Sequence, residues 1–244
     1  MKTTFTLIIA ILLLYHPSFS QDAKENSLPL IGESAPKFTA VSTRGKLNFP
    51  DDYFGKWKIL FSHPADFTPV CTSELLELAK LQEDFKKMNT ALVVISTDGL
   101  NSHIEWIKSM ESIDYRDNGK VKIDFPLVSD AGLEVSKQYG MLHPNSSSTK
   151  DIRAVFIIDP GDRIRTILYY PDNVGRNMEE IKRVLTALQE VQGKDLLAPA
   201  NWDVGEDLLM PSPKSADESA KMELKNNEKY YSLAWYMWFV QAKK

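Results

Sequence analysis

His63-Pro64-Ala65-Asp66-Phe67-Thr68-Pro69-Val70-Cys71-Thr72-Ser73-Glu74 holds the only cysteine in the chain. An apolar, strand-like segment, Trp57-Lys58-Ile59-Leu60-Phe61-Ser62, runs just before it. A helix pattern follows: Leu75, Leu78, Ala79, Phe85 and Met88 recur at helical spacing, with Glu74, Glu77, Lys80, Glu83 and Lys87 on the other face. Cys71 therefore falls where a strand hands over to a helix. Thr68 followed by Pro69 reads as an N-cap and a first helical residue, which sets Cys71 in the first turn. Free N–H groups and the positive end of the helix dipole favour a thiolate there. A free cysteine titrates near about 8.5, and a helix N-terminus with cationic neighbours lowers that. The plainer reading of a lone cysteine is a small buried hydrophobe. The Thr, the Pro and the helix start around it favour an activated nucleophile instead.

Outward from this stretch, Lys37–Val41 and Lys46–Phe49 flank Thr43-Arg44-Gly45 as a small hairpin. Ala91–Ser96 is a continuous apolar run, as in strands buried on both faces. Ser102-His103-Ile104-Glu105 reads as a capping box opening a helix with Ile104, Ile107 and Met110 on one face. Ile123–Val128 is extended ahead of and around Pro126. Asp130 caps a helix that ends at Gly140. Ile152–Ile158 and Ile164–Tyr170 are strands joined by the turn Asp159-Pro160-Gly161-Asp162. Met178–Val191 is a helix with Ile181, Val184, Leu185 and Leu188 as its stripe. Alternation of this kind implies an α/β sheet with helices on both faces, compatible with a thioredoxin-like core. Past residue 192, Ala198-Pro199-Ala200-Asn201-Trp202 and Met210-Pro211-Ser212-Pro213 break any regular pattern.

The N-terminus reads as a secretory signal. Lys2 is the positive start, Phe5–Tyr15 the apolar centre, and Ser18 and Ser20 the small residues before cleavage after Ser20. Three segments follow from this reading: a signal peptide over 1–20, a thioredoxin-like domain over 30–191, and a C-terminal extension over 192–244. The expected location is the secretory lumen or the exterior. A net charge of −4 over 244 residues, with both signs mixed, points to no nucleic acid. A single thiol in an exported chain is reactive or intermolecular, since it has no internal partner. Asn145-Ser146-Ser147 is a glycosylation sequon, so Asn145 is a modification candidate.

Pro64, Thr68 and Cys71 stand in the Pro-x-x-x-Thr-x-x-Cys spacing that marks peroxiredoxins. The wider run from His63 to Glu74 resembles the one-cysteine, peroxiredoxin-six-like subgroup. The likeness extends over roughly residues 30–225 and includes Gly140-Met141-Leu142, Arg153-Ala154-Val155-Phe156 and Gly175-Arg176-Asn177. It implies a thioredoxin-like core with peroxiredoxin insertions, and a C-terminal extension that wraps onto the partner subunit of a homodimer. It also implies reduction of hydrogen peroxide and alkyl or lipid hydroperoxides through a sulfenic acid at Cys71. With no second cysteine, an external thiol such as glutathione or a redox protein must resolve that acid. Mammalian members add a phospholipase with a Ser-His-Asp arrangement. The matching positions here are Lys56, Pro50 and Gly161, which cannot play those roles.

In the resemblance, Cys71 is the nucleophile and Arg153 the cation beside it. Arg176 is a second arginine near the site, and Glu74 fixes both guanidinium forks. Thr68 can aim its hydroxyl into the pocket, and Pro64 can roof it. His63 reads as a supporting residue, and His103 and His143 as surface or loop residues. No cluster of His, Cys, Asp and Glu has metal-ligand spacing, so neither metal nor cofactor is expected. Two other readings compete. A cysteine hydrolase lacks any histidine marked as a base. A thioredoxin-like binding or chaperone module would act through its dimer surface and the aromatic tail Tyr230–Val240. That tail departs from the family pattern, and packing against the body or a second subunit ranks ahead of membrane contact. The peroxidase reading requires a sulfur that solvent can reach, with Thr68 and Arg153 turned toward it.

Overall fold

The computed structural model describes residues 28–117, 119–142, 148–224 and 229–242. The expected signal peptide, Asn145 and His143 lie outside them. Seven strands form one sheet: β1 Phe38–Ser42, β2 Gly45–Phe49, β3 Trp57–Ser62, β4 Thr90–Ser96, β5 Leu127–Ser129, β6 Arg153–Ile158 and β7 Ile164–Tyr170. Their order is β2-β1-β5-β4-β3-β6-β7. The central strands β3, β4 and β5 are parallel. β6 joins β3 antiparallel and turns back into β7. Every residue of β3 is buried, which is why its sequence runs apolar without alternation.

Helices α1 Pro69–Lys87, α2 Leu100–Met110 and α4 Met178–Val191 cover one face, and α3 Glu134–Gln138 covers the other. On the first face Ile59, Phe61, Val94, Val155 and Ile157 meet Leu75, Leu78 and Phe85 of α1 and Ile181 and Leu185 of α4. On the second, Leu60, Val93, Ile95, Phe156 and Ile158 meet Val135, Tyr139 and Phe49. The fold is the mixed α/β, thioredoxin-like arrangement that the alternation of elements implies.

Three local expectations are corrected. α2 begins at Leu100 after Gly99, so Ser102 lies inside the first turn and caps nothing. Its buried stripe is His103, Trp106 and Met110 rather than Ile104, Ile107 and Met110, because the large indole takes the inward position. α3 spans only five residues. Asp130 caps it from upstream, its carboxylate accepting from the backbone N–H of Glu134, Val135 and Ser136 at 3.0, 3.2 and 2.7 Å. Beyond residue 192 the stretches 198–202 and 210–213 are irregular, as expected, but short regular elements lie between and after them. β8 Leu208–Leu209, β9 Tyr230–Ala234 and β10 Met237–Val240 pair in the order β8-β10-β9, with α5 Ala216–Glu223 between β8 and β9. The aromatic tail is therefore a hairpin. Trp238 is buried, Tyr231 stacks on Phe239 at 4.9 Å between centroids, and Trp235 and Tyr236 are exposed at its turn.

Because β3 is packed on both faces, Ile59→Ala should cost about 2–5 kcal/mol of unfolding free energy. Urea unfolding followed by fluorescence measures it, and a loss under about 1 kcal/mol contradicts the packing described.

Candidate active site

β3 delivers the chain to the sheet's end at Ser62. The segment His63–Thr68 then turns, with Phe67 in the left-handed region at φ 54°, so that Pro69 can open α1. Cys71 is the third residue of that helix. Thr68 holds the N-cap position with an extended backbone, but its hydroxyl donates to the Ala65 carbonyl at 2.9 Å and caps no N–H. Pro64 is buried beside it.

Two arginines from distant strands and loops converge here. Arg153, the first residue of β6, donates from Nη1 to Cys71 Sγ at 3.2 Å and to Glu74 Oε2 at 2.7 Å. Its Nε and Nη2 both donate to the Asp172 carbonyl, at 3.0 and 2.7 Å, which fixes the guanidinium plane. Arg176 donates from Nε and Nη2 to the two oxygens of Glu74, at 2.8 and 2.7 Å. Its Nη1 reaches the carbonyls of Ser62 and Ala154 at 2.8 and 2.9 Å. It also lies 3.4 Å over the Phe61 ring. Burial pushes the Glu74 carboxyl up, but hydrogen bonds and charge from Arg176 outweigh that and hold it below the usual carboxylate range.

The structure thus brings Cys71, Glu74, Arg153 and Arg176 together as expected. It differs at the other two requirements. Cys71 is 0% exposed, and no hydrogen bond joins Thr68 to its sulfur. A groove of about 330 Å³ lies alongside, lined by Phe67, Thr68, Pro69, Thr72, Leu76 and Trp106 among others.

A second cluster contradicts the expectation that no His/Asp grouping exists. His63, Asp66 and His103 each place a ligand-type atom within 4.8 Å of the others, all buried. Hydrogen bonds fill the space between them. His63 Nε2 lies 2.9 Å from Asp66 Oδ1, and His103 Nδ1 lies 2.8 Å from Asp66 Oδ2. Burial pushes the Asp66 carboxyl up, but the two imidazoles outweigh that and hold it well below the usual range. His103 is not the surface residue expected. Its place in the 103/106/110 stripe, three residues before Trp106, was the sequence signal that it points inward.

The AhpC/TSA family model matches residues 31–167. A peroxiredoxin of Methanosarcina mazei is 51% identical over 211 residues, covering 86% of this chain and 96% of the relative. The chain belongs to the peroxiredoxin family. Peroxiredoxin 2 of Sulfurisphaera tokodaii is 45% identical, over 80% of this peroxiredoxin and 91% of its own length. Among solved structures, the yeast mitochondrial 1-Cys peroxiredoxin superposes with a TM-score of 0.76 at 36% identity, covering 88% of this chain and 100% of that one. A mutant of peroxiredoxin 6 from Arenicola marina gives 0.76 at 35%, covering 88% and 99%. This peroxiredoxin is accordingly a thiol-dependent peroxidase.

One buried acid stands apart from both clusters. Asp151, two residues before Arg153, has no hydrogen-bond partner among the described residues for either carboxylate oxygen. Ser136 Oγ spends its proton on Asp130 at 2.6 Å. Burial pushes the Asp151 carboxyl up to about 7 from an ordinary 3.8. Below pH 3.8 the acid is protonated whether folded or not and costs nothing. Between 3.8 and about 7 only the unfolded chain ionises, so stability falls as pH rises. Asp151→Asn should therefore gain on the order of 3 kcal/mol more at pH 8 than at pH 5. Denaturant melts at the two pH values check this, and an equal effect at both refutes it.

Proposed function

We propose that this peroxiredoxin reduces hydrogen peroxide and alkyl or lipid hydroperoxides at Cys71, is exported, and relies on an external thiol for reduction. The observation that carries the assignment of Cys71 is the Arg153 guanidinium bridging its sulfur and Glu74. Two buried guanidinium charges face one carboxylate, so a thiolate closes the charge count. The thiolate attacks one peroxide oxygen, the O–O bond breaks, and the hydroxide or alkoxide leaves and takes up a proton. Cys71 becomes S–OH. A first external thiol replaces that hydroxyl, releasing water and leaving a mixed disulfide. A second thiol frees Cys71 and departs as the oxidised disulfide.

In this mechanism Arg153 stabilises charge as the O–O bond breaks. Glu74 and Arg176 hold Arg153 in place, and Pro64 keeps water from the sulfur. Thr68 leaves the Ala65 carbonyl to orient the peroxide. His63 supports the site from the β3 side. The yeast relative's structure concerns thiol resolution by glutathione and thioredoxin systems, which supports reduction from outside the chain. Residues 1–20 act as the signal and Asn145 as a glycosylation site. The extension over 192–244 contacts the partner of a homodimer, and the exposed Leu233, Trp235 and Tyr236 support that role. Membrane contact by the tail ranks below it.

Peroxide consumption with glutathione or a thioredoxin as donor tests the proposal. Cys71→Ser should abolish turnover, and Arg153→Met should lower the rate constant for peroxide by about 10²–10³. Without thiol, wild-type protein should consume one peroxide per chain and gain one oxygen at Cys71 by mass spectrometry. Turnover retained in Cys71→Ser would refute it.

A further inference from the structure

Asp66 and His103 take no part in the chemistry above. With His63 they form the one group of three His, Cys, Asp or Glu side chains among the described residues whose ligand-type atoms converge, all within 4.8 Å of one another. Three parts of the fold supply it. His63 follows β3, Asp66 lies in the turn before α1, and His103 belongs to α2. Their side chains are at most 1% exposed. A carboxylate beside histidines in solvent needs no explanation, but burying one is costly unless a cation or donors meet it.

The separations suit one shared ion. Zinc takes imidazole nitrogen and carboxylate oxygen at about 2.1 Å, so two donors on one zinc lie no more than about 4.2 Å apart. His63 Nε2 lies 2.9 Å from Asp66 Oδ1. His103 Nδ1 lies 3.0 and 2.8 Å from the two Asp66 oxygens. With all three ligand atoms already within 4.8 Å, a shift of a few tenths of an ångström at each ring brings them onto one centre. With both carboxylate oxygens the set offers four donor atoms, the number zinc takes in closed sites.

The surroundings are those of a ligand set. His103 Nε2 faces the Val128 carbonyl at 3.1 Å, which can only accept. Metal-bound histidines are oriented in this way, one ring nitrogen donating to a carbonyl while the other binds the ion. Asp98 stands behind Asp66. Its Oδ2 accepts from the Asp66 backbone N–H at 2.8 Å and from Ser96 Oγ at 3.1 Å. Two carboxylates with two neutral imidazoles carry two negative charges, which one divalent cation cancels. His63 Nδ1 has no hydrogen-bond partner among the described residues, so no second contact fixes a proton on Nε2.

We propose that His63, Asp66 and His103 form a binding site for one divalent transition-metal ion of the zinc class, held by His63 Nε2, His103 Nδ1 and the Asp66 carboxylate. Zinc has no geometric preference from its d electrons, so it accepts a lopsided set. Two imidazoles count against magnesium and calcium, which take oxygen ligands. The ion joins the end of β3, the active-site turn and α2 through one centre. It fixes the Asp66 end of a turn whose next two residues, Phe67 and Thr68, lie outside the ligand set. The site does not depend on the peroxidase reading of Cys71. Its rival is a purely hydrogen-bonded trio, with a proton between each ring and the carboxylate.

Metal analysis of the purified protein tests this. The protein is stripped with a chelator in denaturant, renatured with excess zinc and desalted. Wild-type protein should then hold about one zinc per chain. Cys71→Ser should hold the same amount, because the sulfur is no ligand. In competition with a chromophoric chelator, His103→Gln should bind at least about 100-fold more weakly, since outer-shell partners alone are worth about 10- to 100-fold. X-ray absorption at the zinc edge should show imidazole nitrogen and carboxylate oxygen without sulfur. Wild-type protein that retains no zinc, zinc lost in Cys71→Ser, a sulfur ligand, or equal binding by folded His103→Gln would each overturn the proposal. Where His103→Gln fails to fold, the metal content and absorption spectrum of the wild-type protein decide. No readout here involves peroxide turnover, so failure of this site and failure of the peroxidase reading are told apart.

Discussion

The site depends on one carboxylate. Glu74 accepts from the side chains of Arg153 and Arg176 and from the Arg176 backbone. Each of the two arginines is also held by backbone carbonyls from other elements, Asp172 for one and Ser62 and Ala154 for the other. Removing an ion from water costs several kcal/mol, and removing one partner of a buried pair costs about 3–5 kcal/mol. The arrangement therefore tolerates no loosening at Glu74, which is why it sits on the first turns of a 19-residue helix packed along its length. The rigidity that α1 and β6 draw from the core is passed to the guanidinium groups through hydrogen bonds and, for Arg176, through the Phe61 ring beneath it.

Legibility in the sequence tracked how far each feature reached along the chain. β3, α1, the β6–β7 turn and α4 depend on local periodicity and turn residues, and their expected bounds match within a residue or two. Arg153, Arg176 and Glu74 came from a family spacing, since nothing local distinguishes them from surface charges. The failures have a common cause. The start of α2 was read from a capping box, but tertiary burial of Trp106 set the helix's face. The C-terminal sheet pairs Leu208–Leu209 with residues about thirty positions later, and two-residue strands leave no periodic trace. Asp66 lay in the quoted motif without a role, because its partner His103 is 37 residues away.

The buried sulfur is the structure's sharpest demand on the mechanism. A cysteine without exposed surface is ordinarily inert, so the peroxidase reading of Cys71 requires the packing over its sulfur to open. At the tip of the turn the hold is light. Phe67 is exposed and left-handed, and Thr68 holds only one carbonyl. Opening at Phe67 and Thr68 breaks few contacts, whereas Asp66 in the same turn is bound to His63, His103 and Asp98, and Glu74 and both arginines are anchored in the core. Local unfolding of the cheapest segment is how a packed domain admits a small ligand. On this reading the Phe67–Thr68 tip of the turn is the mobile part and the cation network the fixed part.

The two buried clusters differ in the one property that matters for the sulfur, their net charge. Asp66 is enclosed by His63 and His103, at 2.9 and 2.8 Å, so its charge is met inside its own cluster. Arg153, Arg176 and Glu74 leave one positive charge uncompensated, and Arg153 carries it to 3.2 Å from Cys71. In a low-dielectric interior such an asymmetry acts over several ångströms. A negative sulfur is drawn to the arginine side. The uncompensated charge of the arginine cluster is therefore the electrostatic feature nearest the thiol, and Glu74 fixes it in place before any peroxide arrives.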